Sequence, residues 1–135
     1  VNASEFTSLS DAERFTLTET LVEQNQGRLP VIVGVAGVSA EAAVGFARHA
    51  RHIEADGVIA MPPYVRAGEL SEGVIFEYYR AIAAARPSLA RRVIFVTGDV
   101  VSTEAERFLE DTGCRWLAKP FRLADLLRSA REILV

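Results

Sequence analysis

Short apolar runs rich in β-branched residues alternate along this chain with longer segments of helical periodicity, and this alternation limits the fold more than any other feature. The clearest run, Val31–Val35, is apolar at successive positions, which favours a buried parallel strand over a half-exposed antiparallel one. Similar runs predict strands at 58–61, 93–97 and 115–118, and Val1–Ala3 is read as the end of a fifth. Strands that alternate with helices imply right-handed crossovers and a parallel sheet.

Capping residues and apolar side chains spaced three and four positions apart predict five helices. The first begins with a capping box formed by Ser10 and Glu13, and Gly27 ends it in a left-handed conformation that glycine adopts easily. Pro87 ends the third helix because proline cannot continue one, and the last helix runs from Leu123 to Ile133. Serines are predicted to cap the first four helices: Ser10, Ser39, Ser71 and Ser102.

These elements predict a single α/β domain over residues 1–135, built on a doubly wound parallel sheet of the flavodoxin-like type. In that arrangement the first strand lies centrally and helices cover both faces of the sheet. The alternative is an open half-barrel of βα units, in which the strands keep their sequence order. Because Val1–Ala3 is so short, the choice between the two strand orders stays open at this point.

Charge and cysteine content argue against several classes of partner. The chain has 15 basic and 18 acidic side chains, a formal charge of -3 and no long run of either sign, so we expect no binding to nucleic acid or to a membrane. Cys114 is the only cysteine, which excludes an internal disulfide and fits a reducing compartment. The longest apolar stretch is too short to span a bilayer. We therefore expect a soluble, cytoplasmic protein.

No cofactor or metal site is predicted. His49 and His52 lie three positions apart on a predicted helix, but no third ligand is evident, so solvated or partly packed histidines are favoured. Gly34 and Gly37 do not complete a dinucleotide-binding fingerprint, which needs three glycines at set spacing. These glycines are better explained by a tight turn from strand to helix.

The segment 1–85 carries a series of motifs in a specific order: Glu5-Phe6, Leu9 to Arg14, Arg28 to Val35, Ala47 to Ala50, Met61 to Tyr64 and Tyr79 to Ala83. Taken together, they resemble the dihydrodipicolinate synthase and N-acetylneuraminate lyase family. The resemblance implies a fragment of a (β/α)₈ barrel whose members form a lysine Schiff base with pyruvate. It also implies that lyase activity is absent, since the family's lysine lies on a later strand and its substrate-binding hydroxyl pair would fall at Asn2-Ala3.

The segment 86–135 carries a different set of motifs: Arg92 to Asp99, Phe108 to Glu110 with Gly113, and Trp116 to Phe121. They resemble the second half of a response-regulator receiver domain. By this resemblance, Thr97 and Lys119 correspond to the hydroxyl and the amine that contact phosphoryl oxygens. Receiver chemistry also needs an acceptor aspartate, and Ala60-Met61 stands at the end of the corresponding strand.

Because the two resemblances meet near Arg86-Pro87, inside one predicted domain, the simplest expectation is an engineered fold chimera. Such a protein would be a scaffold with no substrate, no signalling activity and no enzymatic activity. Two alternatives remain. One is a degenerate receiver-like module that binds a partner protein, and the other is a residual Schiff-base lyase that uses Lys119, the only lysine of the chain.

The candidate site is a vestigial anion-binding rim at the carboxyl ends of the strands, formed by Thr97, Lys119, Ser39 and Ser102. An inert, solvated pair of Thr97 and Lys119 is favoured over a functional anion pocket. The sequence also predicts self-association. If Val1–Ala3 does not pair, the strand Val31–Val35 presents unpaired backbone and apolar side chains to a second copy of the chain.

Overall fold

A computed structural model of the chain describes the residues 5–63, 70–85, 92–98 and 114–134. The chain divides into two compact units, Val1–Arg86 and Pro87–Val135. The predicted strand Val1–Ala3 and the predicted helix after Ser102 lie outside the described residues.

The first unit consists of βα repeats. Its described elements are a short 3₁₀ turn at Phe6–Ser8, α1 at Asp11–Asn25, β1 at Ile32–Gly34, α2 at Ala40–His52, β2 at Gly57–Ile59 and α3 at Glu72–Ala84. Strands β1 and β2 pair in parallel, with Val33 opposite Val58. The N–H of Val35 donates to the carbonyl of Ile59 at 3.0 Å, so the pairing continues one residue beyond β1. The predicted parallel strands are thereby confirmed in this unit.

The predicted capping box at the start of α1 is confirmed. The Ser10 N–H donates to Glu13 Oε2 at 2.8 Å, and the Glu13 N–H donates to Ser10 Oγ at 3.3 Å. The Ser10 hydroxyl also donates to Glu13 Oε2 at 2.7 Å. This bond, and after it the bond from the Ser10 backbone N–H, lowers the pKa of the Glu13 carboxyl. The helix ends one residue earlier than predicted, because Gln26 already adopts a left-handed conformation (φ 49°) before Gly27.

The core of the first unit lies between its two strands and the helices α2 and α3. Its buried side chains are Val33, Val35, Ala43, Phe46, Ala47, Ala50, Ala55, Tyr78 and Ile82. The opposite face of the strands is open, since Ile32 is 57% exposed and Ile59 is 45% exposed. Burial of both strand faces was therefore a wrong prediction for this unit, where the described helices α2 and α3 pack on the face opposite these exposed side chains.

The second unit contains another parallel pair, formed by β3 at Ile94–Thr97 and β4 at Arg115–Ala118, followed by α4 at Leu123–Leu134. Thr97 lies opposite Ala118 at the carboxyl ends of the two strands. Helix α4 returns along β4, and an ion pair between Arg115 and Glu132 joins its last part to the start of that strand. The predicted closing helix is confirmed.

Candidate functional site at the carboxyl ends of the strands

The carboxyl ends of β1 and β2 meet at one edge of the first unit, which is the edge where βα proteins place their functional groups. An open cleft of about 770 Å³ lies here, between the turn after β1, the segment after β2 and the start of α3. Its described lining is mostly apolar, with Val38, Ala40, Pro63, Leu70, Val74 and the ring of Tyr78, and it includes polar groups of Ser39, Ser71 and Glu77. Such a lining is typical of sites for small organic ligands.

Arg14 anchors the turn that forms one wall of this cleft. Its side chain is buried, and Nη2 donates to the carbonyls of Gly34 at 3.2 Å and Ala36 at 3.0 Å. The guanidinium carbon lies 3.5 Å from the centroid of the Phe46 ring and 5.1 Å from that of Phe6. A buried cation is stabilised in this way by carbonyl acceptors and by the faces of aromatic rings.

Tyr78 holds the same turn from the side of α3. The Gly37 N–H donates to its hydroxyl oxygen at 3.2 Å, and the Tyr78 side chain is almost fully buried. The neighbouring ring of Tyr79 packs edge-on against it. Burial raises the pKa of Tyr79 to about 12, with a smaller contribution from Tyr78, so the Tyr79 phenol stays neutral near pH 7.

The two histidines lie away from the cleft, in the last turn of α2. His49 is partly buried: its Nε2 lies 3.0 Å from Thr18 Oγ1, its Nδ1 lies 3.8 Å from Glu19 Oε1, and its ring packs on Phe15. His52 is exposed. The expectation of partly packed or solvated histidines is therefore confirmed, although their hydrogen-bond partners were not foreseen.

The predicted anion rim is divided between the two units. Ser39 is the N-cap of α2 in the first unit, where its Oγ accepts a hydrogen bond from the Ala42 N–H at 3.2 Å. In the second unit, Thr97 ends β3 and Lys119 directly follows β4, so both lie at the carboxyl end of that strand pair. Lys119 is exposed. Ser102 lies outside the described residues, and the rim as a whole stays a prediction.

Neither Arg14 nor Tyr78 was identified as a site residue from the sequence. A signal for Arg14 was present, because it falls on the same helical face as Thr18 and Val22, the face from which Thr18 reaches α2. A charged residue on a face that packs against the rest of the unit needs hydrogen-bond acceptors in the interior. Tyr78 carried no comparable signal, because its spacing in α3 fits ordinary core packing equally well.

The described parts of the chain lack a metal-binding cluster and a membrane-spanning helix. Residues 5–63, 70–85, 92–98 and 114–134 contain no group of three or more His, Cys, Asp or Glu side chains placed to hold a metal ion. In the same ranges, no helix has the length and apolar character needed to cross a membrane.

Comparison with known proteins identifies relatives for most of the chain. A model of the dihydrodipicolinate synthetase family matches residues 2–107. A Streptomyces coelicolor protein named probable 5-dehydro-4-deoxyglucarate dehydratase 1 is 44% identical over 84 residues, covering 62% of this chain and 25% of that protein. The Escherichia coli protein YjhH, named probable 2-dehydro-3-deoxy-D-pentonate aldolase, is 37% identical over 79 residues. The match covers 58% of this chain and 26% of that protein. The chain thus spans about a quarter of the length of these curated relatives.

Solved structures extend the similarity of fold along nearly all of the chain. YagE from E. coli K12, a member of the dihydrodipicolinic acid synthase family solved with pyruvate, has a TM-score of 0.67 at 22% identity, covering 98% of this chain and 45% of that chain. A Ruminococcus gnavus sialic acid aldolase with its catalytic lysine mutated also has a TM-score of 0.67 at 22% identity. The match covers 98% of this chain and 44% of that chain. The fold is therefore that of a barrel fragment.

These findings correct three expectations. The flavodoxin-like fold is wrong, and the alternative of barrel-type βα units is supported. The engineered chimera is also wrong: the family match crosses the expected junction at Arg86-Pro87 and continues to residue 107, and the receiver resemblance of 86–135 finds no support. A strand followed by a helix that packs back on the sheet is common to both folds, so local motifs could not separate them.

The expectation of a scaffold that is not an enzyme is wrong as well, because the relatives are named as a dehydratase and an aldolase. Since the family model covers well over half of its length, the chain belongs to the dihydrodipicolinate synthetase family.

Proposed function

We propose that this chain is part of a (β/α)₈ enzyme that dehydrates or cleaves a deoxy keto acid derived from a sugar. The observation that carries the proposal is the family match over residues 2–107, together with the named activities of the relatives. The names of these relatives refer to 5-dehydro-4-deoxyglucarate, 2-dehydro-3-deoxy-D-pentonate and, in Azospirillum brasilense, L-2-keto-3-deoxyarabonate. Each name describes a carboxylate next to a keto carbon, which is followed by a methylene group.

Dehydration and aldol cleavage of such acids share one chemical requirement. Both need electrons to be withdrawn at the keto carbon, and a Schiff base between that carbon and a lysine amine supplies this withdrawal. The remainder of the substrate, with its hydroxyl groups and carboxylate, must be held in place while the bonds change. An enzyme of this class therefore needs an amine and a shaped pocket at the same end of the barrel.

In this proposal, the first unit forms one wall of the substrate-binding pocket, at the end of the barrel where the strands have their carboxyl ends. Its cleft lies at the carboxyl ends of β1 and β2, where catalytic groups of (β/α)₈ enzymes gather. The described lining contains serine and tyrosine hydroxyls, but no lysine, histidine or cysteine. Glu77, which is also part of the described lining, is exposed and paired with Arg80 at 2.6 Å. This composition favours binding and shaping of a substrate over bond-breaking by these particular side chains.

A titration of the chain with L-2-keto-3-deoxyarabonate tests this role. We expect amide shifts in a ¹H–¹⁵N correlation spectrum at the cleft rim, around Val38–Ala40 and Gly73–Val74. L-Arabonate is the matched control ligand, because it keeps the carboxylate and lacks the keto group. A spectrum that does not respond to the keto acid, or that responds equally to both ligands, would overturn the proposal.

A second candidate is that the chain itself supplies the Schiff-base amine. Lys119 favours it, since this only lysine of the chain follows directly on β4, at the carboxyl end of a parallel pair. Its exposure argues the other way, because such amines react from sites shielded from water. Borohydride reduction in the presence of pyruvate decides the question. An adduct in the intact mass that disappears in Lys119→Arg would establish the second candidate, and an adduct that persists in the variant would come from the N-terminal amine.

A further inference from the structure

The carboxyl end of β1 has two edges, and only one of them faces β2. Backbone groups of successive strand residues point alternately towards the two sides of a strand. The carbonyl of Val31 and the N–H of Val35 bond to the β2 side, so the carbonyls of Gly34 and Ala36 point towards the opposite edge. Arg14 donates to both of these carbonyls. Its guanidinium therefore supplies hydrogen-bond donors on the side of β1 that faces away from β2.

The chemistry of this contact is specific to arginine. Arg14 is 8% exposed, and its guanidinium carbon lies over the ring of Phe46, with the ring of Phe6 farther away. The guanidinium donates to both carbonyls through Nη2 while its planar face lies over an aromatic ring. A lysine ammonium could donate two hydrogen bonds from one nitrogen, but it is compact and strongly hydrated and has no planar face to stack on the ring.

The turn that Arg14 holds leads directly into the cleft. Gly37 follows the two carbonyl acceptors and donates its N–H to Tyr78, and Val38 and Ser39 then line the cleft wall. The backbone from Gly34 to Ser39 is thus fixed from α1 by Arg14 and from α3 by Tyr78. A displacement at the Arg14 end is transmitted along this short segment to the rim.

We propose that Arg14 is a positioning residue for the substrate end of the enzyme, acting through the turn between β1 and α2 without touching the substrate. The inference rests on the proposed function, because the rim has a substrate to position only if the cleft binds one. The small displacements that such a residue prevents are enough to weaken binding of a positioned ligand strongly.

Arg14→Lys tests the inference, with Arg28→Lys as the matched control. Arg28 also donates to two backbone carbonyls, those of Gln24 and Asn25, but it does so at the exposed end of α1. We expect Arg14→Lys to shift the carbonyl ¹³C resonances of Gly34 and Ala36, and to raise the Kd for L-2-keto-3-deoxyarabonate about tenfold. Arg28→Lys should keep the wild-type Kd.

The outcomes separate the two proposals. A merely structural role would lower the unfolding temperature of Arg14→Lys while its folded form bound the keto acid with the wild-type Kd, and that result would overturn the positioning role alone. If Arg14→Lys fails to fold, Arg14→Ala with added methylguanidinium replaces it, and recovery of binding by this cation but not by methylammonium is expected. A wild-type chain that gives no response to the keto acid would overturn the proposed function and, with it, this inference.

Discussion

Gly37 occupies the point where the turn after β1 comes closest to helix α2. A Cβ at this position would lie 2.8 Å from the backbone nitrogen of Ala43 and 3.0 Å from the Cβ of Ala42. These atoms belong to the first turn of a packed helix, so they cannot move aside as the end of a long side chain could. The glycine is needed for space, whereas Gly27 adopts the left-handed backbone that favours glycine.

We expect Gly37→Ala to lower the free energy of unfolding by about 1–3 kcal/mol, because the added methyl group must displace the start of α2. Gly45→Ala, inside α2, is the control, since nothing lies within 4 Å of the Cβ that it adds. That substitution should raise stability by up to about 1 kcal/mol, as alanine favours the helix more than glycine does. Urea unfolding followed by circular dichroism measures both changes. Equal stability of Gly37→Ala and the wild type would contradict the steric account.

At the scale of the element, helix α1 begins with a capping box between neighbouring residues and also carries a side chain that contacts residues far along the chain. Its capping box at Ser10 and Glu13 sets where the helix begins. Arg14 follows within the first turns and reaches the carbonyls of Gly34 and Ala36, at the far end of β1. Because the start of a helix fixes the angular position of every later side chain, the cap also helps to direct Arg14 towards the turn.

Ser10→Ala should destabilise the first unit by about 1 kcal/mol, the usual cost of losing a serine N-cap. The same change removes a hydrogen bond that lowers the pKa of Glu13 below its ordinary value of 4.5. A carboxyl whose pKa is lowered by folding adds stability above its unfolded pKa, and this contribution is lost as the pH falls through the folded value. The deficit of Ser10→Ala should therefore be larger at pH 7 than at pH 3. Thermal unfolding at the two pH values measures it, with the exposed Ser8→Ala as control, and a deficit that grows in acid would exclude this explanation.

At the scale of the whole molecule, both strand pairs leave large apolar side chains in contact with water. Ile32 and Ile59 are exposed on the open face of the first pair, and Val96 and Trp116 are 40% and 42% exposed in the second. In a closed (β/α)₈ barrel, the inner face of each strand packs against side chains from the other strands. An open face of this kind promotes association, since burying it removes apolar surface from water.

Self-association, already expected from the strand pattern, remains a prediction. We expect sedimentation velocity to show a weight-average mass that rises with the concentration of the chain. Ile59→Thr should shift this equilibrium towards monomer, because it reduces the apolar surface of the open face. Leu29→Thr is the matched control: Leu29 is 70% exposed and lies outside the strands. If the two variants behave alike, or if the wild type is monomeric at all concentrations, the open face is not a site of association.

The features that the sequence determined by itself are those that depend on residues a few positions apart. The capping box at Ser10, the N-cap at Ser39 and the helix from Leu123 follow from local hydrogen bonds and helical spacing, and all three are present in the structure. The ordered motifs of the segment 1–85 likewise pointed to the correct family. Such features depend only on local geometry, so a short stretch of sequence is enough to predict them.

Tertiary structure alone decided which strand face is buried, which carbonyls Arg14 binds and where the cleft lies. Arg14 contacts Gly34 and Ala36, which lie 20 and 22 positions farther along the chain, a separation at which no spacing rule operates. The choice between a barrel and a flavodoxin-like sheet was misjudged for the same reason. A βα unit has the same sequence pattern in both folds, and what separates them is how successive units pack against one another.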